Sequence, residues 1–317
     1  MILLLATVLA ATPCLLPTVG GDDPDLRSLY EAGITYEAFH SQAERRKAMW
    51  DRNTGWAEVP DPLLARARQA VARANGPLHV LAVAVDGCSD SANTIPYLAA
   101  LVNAVEGLEM RIIDSRVGRD IMVLHRTPDG RPATPTVLVL NETFDEVGAF
   151  IERPLPLQEW ALAADSTLSG PDFLEAKFAW YDADRGASTM EEVVAILEAA
   201  GRPGMLDGAF MDDYDATHTV TATSFSQGER TIYHITEWNL DDQYLLARND
   251  MRNSYAPGAW SRIDWVQLDD MAPWTWAFCM SAYDAATAEE ARMAPEADRS
   301  APRTGCFGSP FTRMKRP

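Results

Sequence analysis

The sequence predicts an α/β domain followed by a small, mainly antiparallel β domain, and three observations carry that reading. An apolar run of strand length, LHVLAVAV (78–85), passes through a short loop holding Cys88 into a helix. Helix-length and strand-length apolar segments then follow one another as far as about residue 200. Beyond Gly201-Arg-Pro-Gly204, which reads as a linker, the hydrophobic period changes to two.

The elements follow in order. Residues 26–53 read as a helical arm with apolar or aromatic positions at Leu29, Tyr30, Ile34, Tyr36, Phe39, Ala43 and Trp50. Residues 61–74 form a second helix, stopped by Asn75-Gly76-Pro77. The continuous apolar character of 78–85 is that of a strand covered on both faces. A helix over 92–104 carries Pro96, which bends it near its first turns. MRIIDS (110–115) is the next strand, and TVLVL (136–140) with residues 147–150 makes a hairpin. Ser188-Thr-Met-Glu191 has the spacing of a capping box for a helix that runs to Ala200 and stops at Gly201. Residues 217–224, 231–238, 243–248, 260–268 and 274–283 alternate polar and apolar as an antiparallel meander does. The aromatic residues there are read as core.

Cys88 is the residue to explain. A cysteine at the first turn of a helix faces unpaired backbone N–H groups and the positive end of the helix dipole, and both favour thiolate. Ser91, one turn on, is placed to donate a hydrogen bond to sulfur, whereas the negative charge of Asp90 opposes ionisation. Forty-odd residues later, GRPATPTVLVLN (130–141) brings Pro135 directly before a second apolar strand.

With that pair on the page, the chain resembles the thioredoxin-like superfamily, and within it a bacterial branch of thioredoxin family proteins. The resemblance rests on Tyr36-Glu-Ala-Phe39 with Arg45-Arg46 and Trp50, on Cys88-Ser-Asp90-Ser-Ala-Asn93-Thr-Ile-Pro96, and on Gly130-Arg131 with Pro135. It continues through Glu146-Val147-Gly148, Arg153-Pro154, Trp180-Tyr181 and Asp184-Arg185-Gly186. It implies a thioredoxin-like domain over about residues 25–200, with a central mixed sheet flanked by helices, a cis-proline at Thr134-Pro135, and site residues Cys88, Ser91, Thr134 and Pro135. Two departures matter. Gly87 stands where members of the branch carry Trp, and Ser91 stands where thioredoxins proper carry a second cysteine, so reduction through a dithiol is not expected. The region 205–317 resembles an uncharacterised domain of secreted bacterial proteins, which implies no activity.

Composition bounds the rest. A chain of 317 residues has room for two ordinary cores. A formal charge of −19 and a pI near 4.6 argue against nucleic-acid binding. Residues 1–19 are apolar and uncharged, and a leader over 1–20 reads as a secretory signal or membrane-proximal anchor, so the protein is expected to be secreted or to lie in the periplasm or cell envelope. No basic residue precedes the apolar run; were the start misassigned, the protein would be cytoplasmic. Cys14 would leave with a cleaved signal, and lipidation there is disfavoured by the preceding Pro13. In an exported chain, Cys279 and Cys306 are expected to pair, closing a loop of 27 residues at a stability gain of about 3 kcal/mol; two buried free thiols are the alternative.

Other candidates are weaker. His40, His79, His125, His218 and His234 show no metal-ligand spacing, and Asp212, Asp213 and Asp215 read as a solvated acidic turn rather than a calcium loop. No metal or cofactor is expected. The reading is a monothiol redox protein that exchanges mixed disulfides with protein thiols or disulfides, or with a glutathione-like thiol, or senses through Cys88. The competing reading is a non-catalytic binding or scaffold protein that keeps the fold and not the chemistry.

Overall fold

The computed structural model describes residues 24–74, 76–164 and 167–317. The leader over 1–20, with Cys14, lies outside the described residues. None of the described helices is long and apolar enough to cross a membrane.

The expected arm over 26–53 is three short helices, α1 (Leu26–Ala32), α2 (Tyr36–Gln42) and α3 (Lys47–Trp56). Local chemistry divides them. Asp25 and Thr35 accept the Ser28 and Ala38 backbone N–H groups and cap α1 and α2. Between these helices the Ile34 N–H and C=O pair with Ile112, which pulls the chain out of helical geometry. Then come α4 (Asp61–Arg73), β1 (Leu78–Val83), α5 (Ser89–Ala92), α6 (Ile95–Ala104), β2 (Leu108–Ile113), α7 (Arg119–Leu124), β3 (Thr136–Leu140) and β4 (Glu146–Ile151). The expected single helix over 92–104 is two, because the chain leaves helical geometry at Asn93. Pro96 falls in the first turn of α6, where its missing N–H has no helical partner to lose.

The sheet runs β2-β1-β3-β4, with β1 parallel to β2 and antiparallel to β3, and β3 antiparallel to β4. Alternation sorts its two faces. Val80, Ala82, Val137 and Val139 join the large core under α3, α4 and α6, while Leu81, Val83, Leu138 and Leu140 pack with Tyr30 of α1 and Ile121 of α7. Three further helices follow, α8 (Leu155–Ala164), α9 (Gly170–Asp184) and α10 (Ala187–Ala199). The capping box at Ser188 is not formed. Gly186, in left-handed geometry, precedes α10, and the Ser188 N–H and hydroxyl both donate to Asp184, so Ser188 lies inside the first turn.

After a 3-10 turn at Gly204–Leu206 come β5 (Gly208–Asp212), β6 (Thr217–Val220), β7 (Ser224–Gln227), β8 (Thr231–Asn239), β9 (Tyr244–Asn249), β10 (Trp260–Gln267), β11 (Trp276–Ala285), α11 (Ala288–Arg292) and β12 (Thr312–Lys315). The expected meander closes into an eight-stranded antiparallel barrel, in which β12 returns to pair with β5. Closure leaves no exposed strand edge. The strand expected over 217–224 is interrupted at 221–223, where the Thr221 hydroxyl accepts the Thr223 and Ser224 N–H groups and turns the chain.

Cys279 and Cys306 form a disulfide. Trp276, Phe278 and Met280 face the large core and Ala277 and Cys279 the opposite cluster, as alternation requires. Trp274 precedes β11 and packs in the cluster with Cys279 rather than with Trp276. Asp212 also differs from expectation, being buried against His218 with Nε2 to Oδ2 at 2.9 Å.

One hydrophobic core runs through both regions. Val193, Ile196 and Leu197 of α10 share it with Phe210, Phe225, Trp238 and Trp276 of the barrel. Glu198 ties the junction, accepting Arg66 Nε at 2.7 Å and the Trp238 N–H at 2.9 Å, while Arg66 also donates to the Thr236 carbonyl.

Candidate functional site around Cys88

Cys88 caps the N-terminus of α5 from extended geometry, at the end of the loop that leaves β1. Its sulfur accepts the Ser91 N–H at 3.4 Å, and its thiol donates to the Thr134 carbonyl at 3.1 Å. The Thr134–Pro135 peptide bond is cis. Cys88 is half-buried and is the free cysteine among the described residues. The four predicted positions thus converge on one spot, though Ser91 acts differently from expectation. Ser91 contributes its backbone N–H, and its hydroxyl is fully buried with no partner among the described residues. Thr134 contributes its carbonyl to the sulfur.

Arg45 and Arg46 both lie against Gly87. A Cβ built on Gly87 would collide with the guanidinium of Arg45, while Arg46 Nε donates to the Gly87 carbonyl at 2.8 Å. The chain before α3 docks here too. Asp86 accepts the Glu44 and Arg45 N–H groups at 3.1 and 2.9 Å, and Trp50 Nε1 donates to the Asp86 carbonyl at 3.0 Å.

Asp90 does not face the sulfur as an unopposed charge. It is buried, with Lys177 Nζ at 3.1 Å from both carboxylate oxygens, the Tyr181 hydroxyl donating at 2.8 Å and Arg153 Nε at 3.4 Å. Burial first, then the neighbouring Asp90 charge, hold the Tyr181 phenol well above its ordinary pKa. Lys177 also reaches the Ser89 hydroxyl at 3.2 Å. Sequence reasoning did not single out Lys177. The available signal was a lone lysine in the middle of a helix of an arginine-rich chain, four residues before Tyr181 and so on the same face. On the other side of Pro135, its carbonyl accepts the Glu152 N–H at 2.7 Å, and Glu152 is in turn held by Arg131 and Arg153.

Residues 33–168 match the family model described as thioredoxin. Over that span the chain is similar to the thioredoxin family. The match spans the thioredoxin-like sheet and ends before Lys177, Tyr181 and the barrel. Among solved structures, a protein of unknown function from Pseudomonas aeruginosa is 23% identical, covering 55% of this chain and 97% of that one at a TM-score of 0.44. The N-terminal domain of an alkylhydroperoxide reductase from Enterococcus faecalis is 12% identical, covering 46% of this chain and 56% of that one at a TM-score of 0.29. No curated protein matches the chain.

Among the described residues no group of three or more His, Cys, Asp or Glu side chains is gathered as a metal site would need. What the site offers is a partly accessible sulfur with one hydrogen-bond donor, one acceptor and a proline beside it.

Proposed function

We propose that the thioredoxin-like domain carries out monothiol exchange through Cys88 in the cell envelope. The carrying observation is the placement of a half-buried free thiol between the Ser91 N–H and the Thr134 carbonyl, next to Pro135. The N–H donor favours the sulfur as an anion, which is the nucleophile of disulfide exchange. With Ser91 at the position a resolving thiol would take, the exchange needs an outside partner. The Cys88 thiolate attacks a partner disulfide, joining one of its sulfurs and releasing the other as thiolate. A second external thiolate, from a protein or a glutathione-like thiol, then attacks the partner's sulfur in the mixed disulfide. That step frees the Cys88 thiolate and leaves the partner oxidised with the second thiol. Pro135 shapes the surface on which the partner backbone lies. The Cys279–Cys306 disulfide supports an oxidising compartment.

Trapping tests the reading. Wild-type protein is expected to accumulate mixed disulfides in cells, and to be alkylated by iodoacetamide at pH 7 faster than a cysteine in an unstructured peptide. Cys88→Ser should show neither. Absence of any Cys88-dependent adduct, with alkylation slower than the peptide, would favour the binding reading.

A further inference from the structure

Two adjoining cavities, of about 280 and 600 Å³, lie where the thioredoxin-like domain meets the barrel, and both are lined by Pro128, Leu155, Gln158 and His234. Phe150, Ile196 and Ile235 wall the smaller, and Trp160, Leu162 and Met251 the larger. Gln158 of α8 is only 4% exposed, yet neither its Nε2 nor its Oε1 has a hydrogen-bond partner among the described residues. An unsatisfied buried polar atom is costly, and a native protein that keeps two on one side chain calls for a reason.

The charges around the cavities say what the missing partner is. His234 pairs with Asp250 at 2.9 Å, Arg252 with the same carboxylate at 2.9 Å, Arg248 with Glu159 at 3.0 Å, and Arg153 with Glu152 and Asp90. Arg126 donates to the Gly130 carbonyl. Glu192 accepts the Leu155 N–H at 2.5 Å, and withdrawal from water pushes its carboxyl up to about 8, so it is largely neutral at pH 7. What stays open is the neutral, adjacent donor and acceptor of one carboxamide. Their complement is another amide. An apolar wall calls for apolar groups on either side of that amide. The exposed side chains of Leu162 and Met251, at 47% and 55%, extend the apolar surface outward from the larger cavity, so the occupant continues beyond it.

We propose that this junction cavity binds an apolar peptide segment of a partner protein, with one backbone amide of the segment paired to the Gln158 carboxamide. Both domains build the site. It is independent of the Cys88 reading, since the thiol makes no contact that the cavity needs.

The probe is a capped pentapeptide, acetyl-Ala-Leu-Val-Leu-Ala-amide, titrated into the full chain by calorimetry and by the indole NMR signal of Trp160. Saturable binding is expected, equal in wild type and Cys88→Ser. Gln158→Met, which keeps the volume and removes the amide, should weaken it at least tenfold while holding or raising Tm. Leu162→Ala, at an exposed position that the fold does not need, should weaken it several-fold. An analogue with the central amide replaced by an ester should also lose at least tenfold. No saturable binding in either background, undiminished binding by Gln158→Met, or tighter binding of acetyl-leucine carboxylate than of the pentapeptide would each overturn the proposal.

Discussion

The two halves of this chain solve the same problem, the unpaired edges and ends of strands, in opposite ways. The thioredoxin-like sheet stays open and relies on helices over both faces, and the chain leaving β1 is free to set Cys88 at the start of α5. The barrel closes on itself, and its remaining two cysteines are spent on a tether. The polar clusters differ in the same sense. Asp90, beside the free thiol, is held by Lys177, Tyr181 and Arg153 from the helix and loop that follow the sheet. Asp264 of the barrel is equally buried and equally surrounded, by Arg262, Arg299 and Ser281, but it lies against the disulfide-bearing strand β11. The open sheet ends in its edge strands β2 and β4, each paired with one other strand; the closed barrel pairs its edge strands β5 and β12 with each other. The halves nonetheless share one core through α10, Trp238 and the Arg66–Glu198 pair.

That shared core gives the largest expected effect. The change of period at residue 204 leads one to expect two separately folding pieces, and the buried junction argues for one cooperative unit. Trp238 is 2% exposed and its ring N–H donates to the Ala222 carbonyl at 2.8 Å. Trp238→Ala should cost about 3–5 kcal/mol. Calorimetry should show a single transition moved downward, with the thioredoxin-like domain destabilised together with the barrel. Two transitions, of which only the barrel's moves, would restore the division into independent domains.

Much of the fold was legible because it depends on local pattern. LHVLAVAV has the length and the flanking turn signals of a strand covered on both faces, and the period-two segments have the alternation of half-buried strands. Closure of the barrel was not legible, since it rests on β5 and β12, short strands a hundred residues apart whose pairing has no local signature. At the site, Cys88 and Ser91 were legible from the order strand, cysteine, helix, and Thr134 and Pro135 through resemblance, but the expected Ser91 hydroxyl donor is its backbone N–H instead, because backbone donors and acceptors leave no mark in a sequence. Lys177 and Gln158 were missed for a related reason. Each matters for where tertiary packing leaves its side chain, one fully partnered and one not.

The second effect separates the regions where the first joins them. The Cys279–Cys306 bridge fixes the C-terminal segment against β11. Replacing both cysteines with serine should cost about 2–4 kcal/mol by chemical denaturation. The loss should be traced to the barrel by hydrogen exchange, with protection increasing its decay at β11 and β12 and unchanged around α5. Equal loss of protection in both places would show that the tether stabilises the shared core rather than the barrel alone. Non-reducing digestion of the wild-type protein should yield the 279–306 cross-linked peptide, and Cys88 joined to either partner would contradict the assignment of Cys88 as the free thiol.

The smallest effect lies at the junction itself and is read by pH. Burial raises the Glu192 carboxyl to about 8, with Asp184 and Glu159 adding to the shift. Between its ordinary value near 4.5 and about 8 the folded state therefore holds a proton that the unfolded chain has released. Stability should fall as pH rises from about 5 to about 8 and level off above. The contribution is expected to be on the order of 1–2 kcal/mol, below the full conversion of the shift because water and side-chain relaxation reduce the cost of charging a partly accessible group. Glu159 and Glu198 are raised in the same direction, so the wild-type slope is a sum. The difference between wild type and Glu192→Gln isolates the one group. Glu192→Gln should flatten the profile between pH 5 and 8 while leaving stability at pH 5 nearly unchanged, because the carboxamide replaces a carboxyl that is already neutral there. An unchanged slope in Glu192→Gln would mean that Glu192 is charged in the folded protein, and that the junction is open enough to solvent to hydrate it.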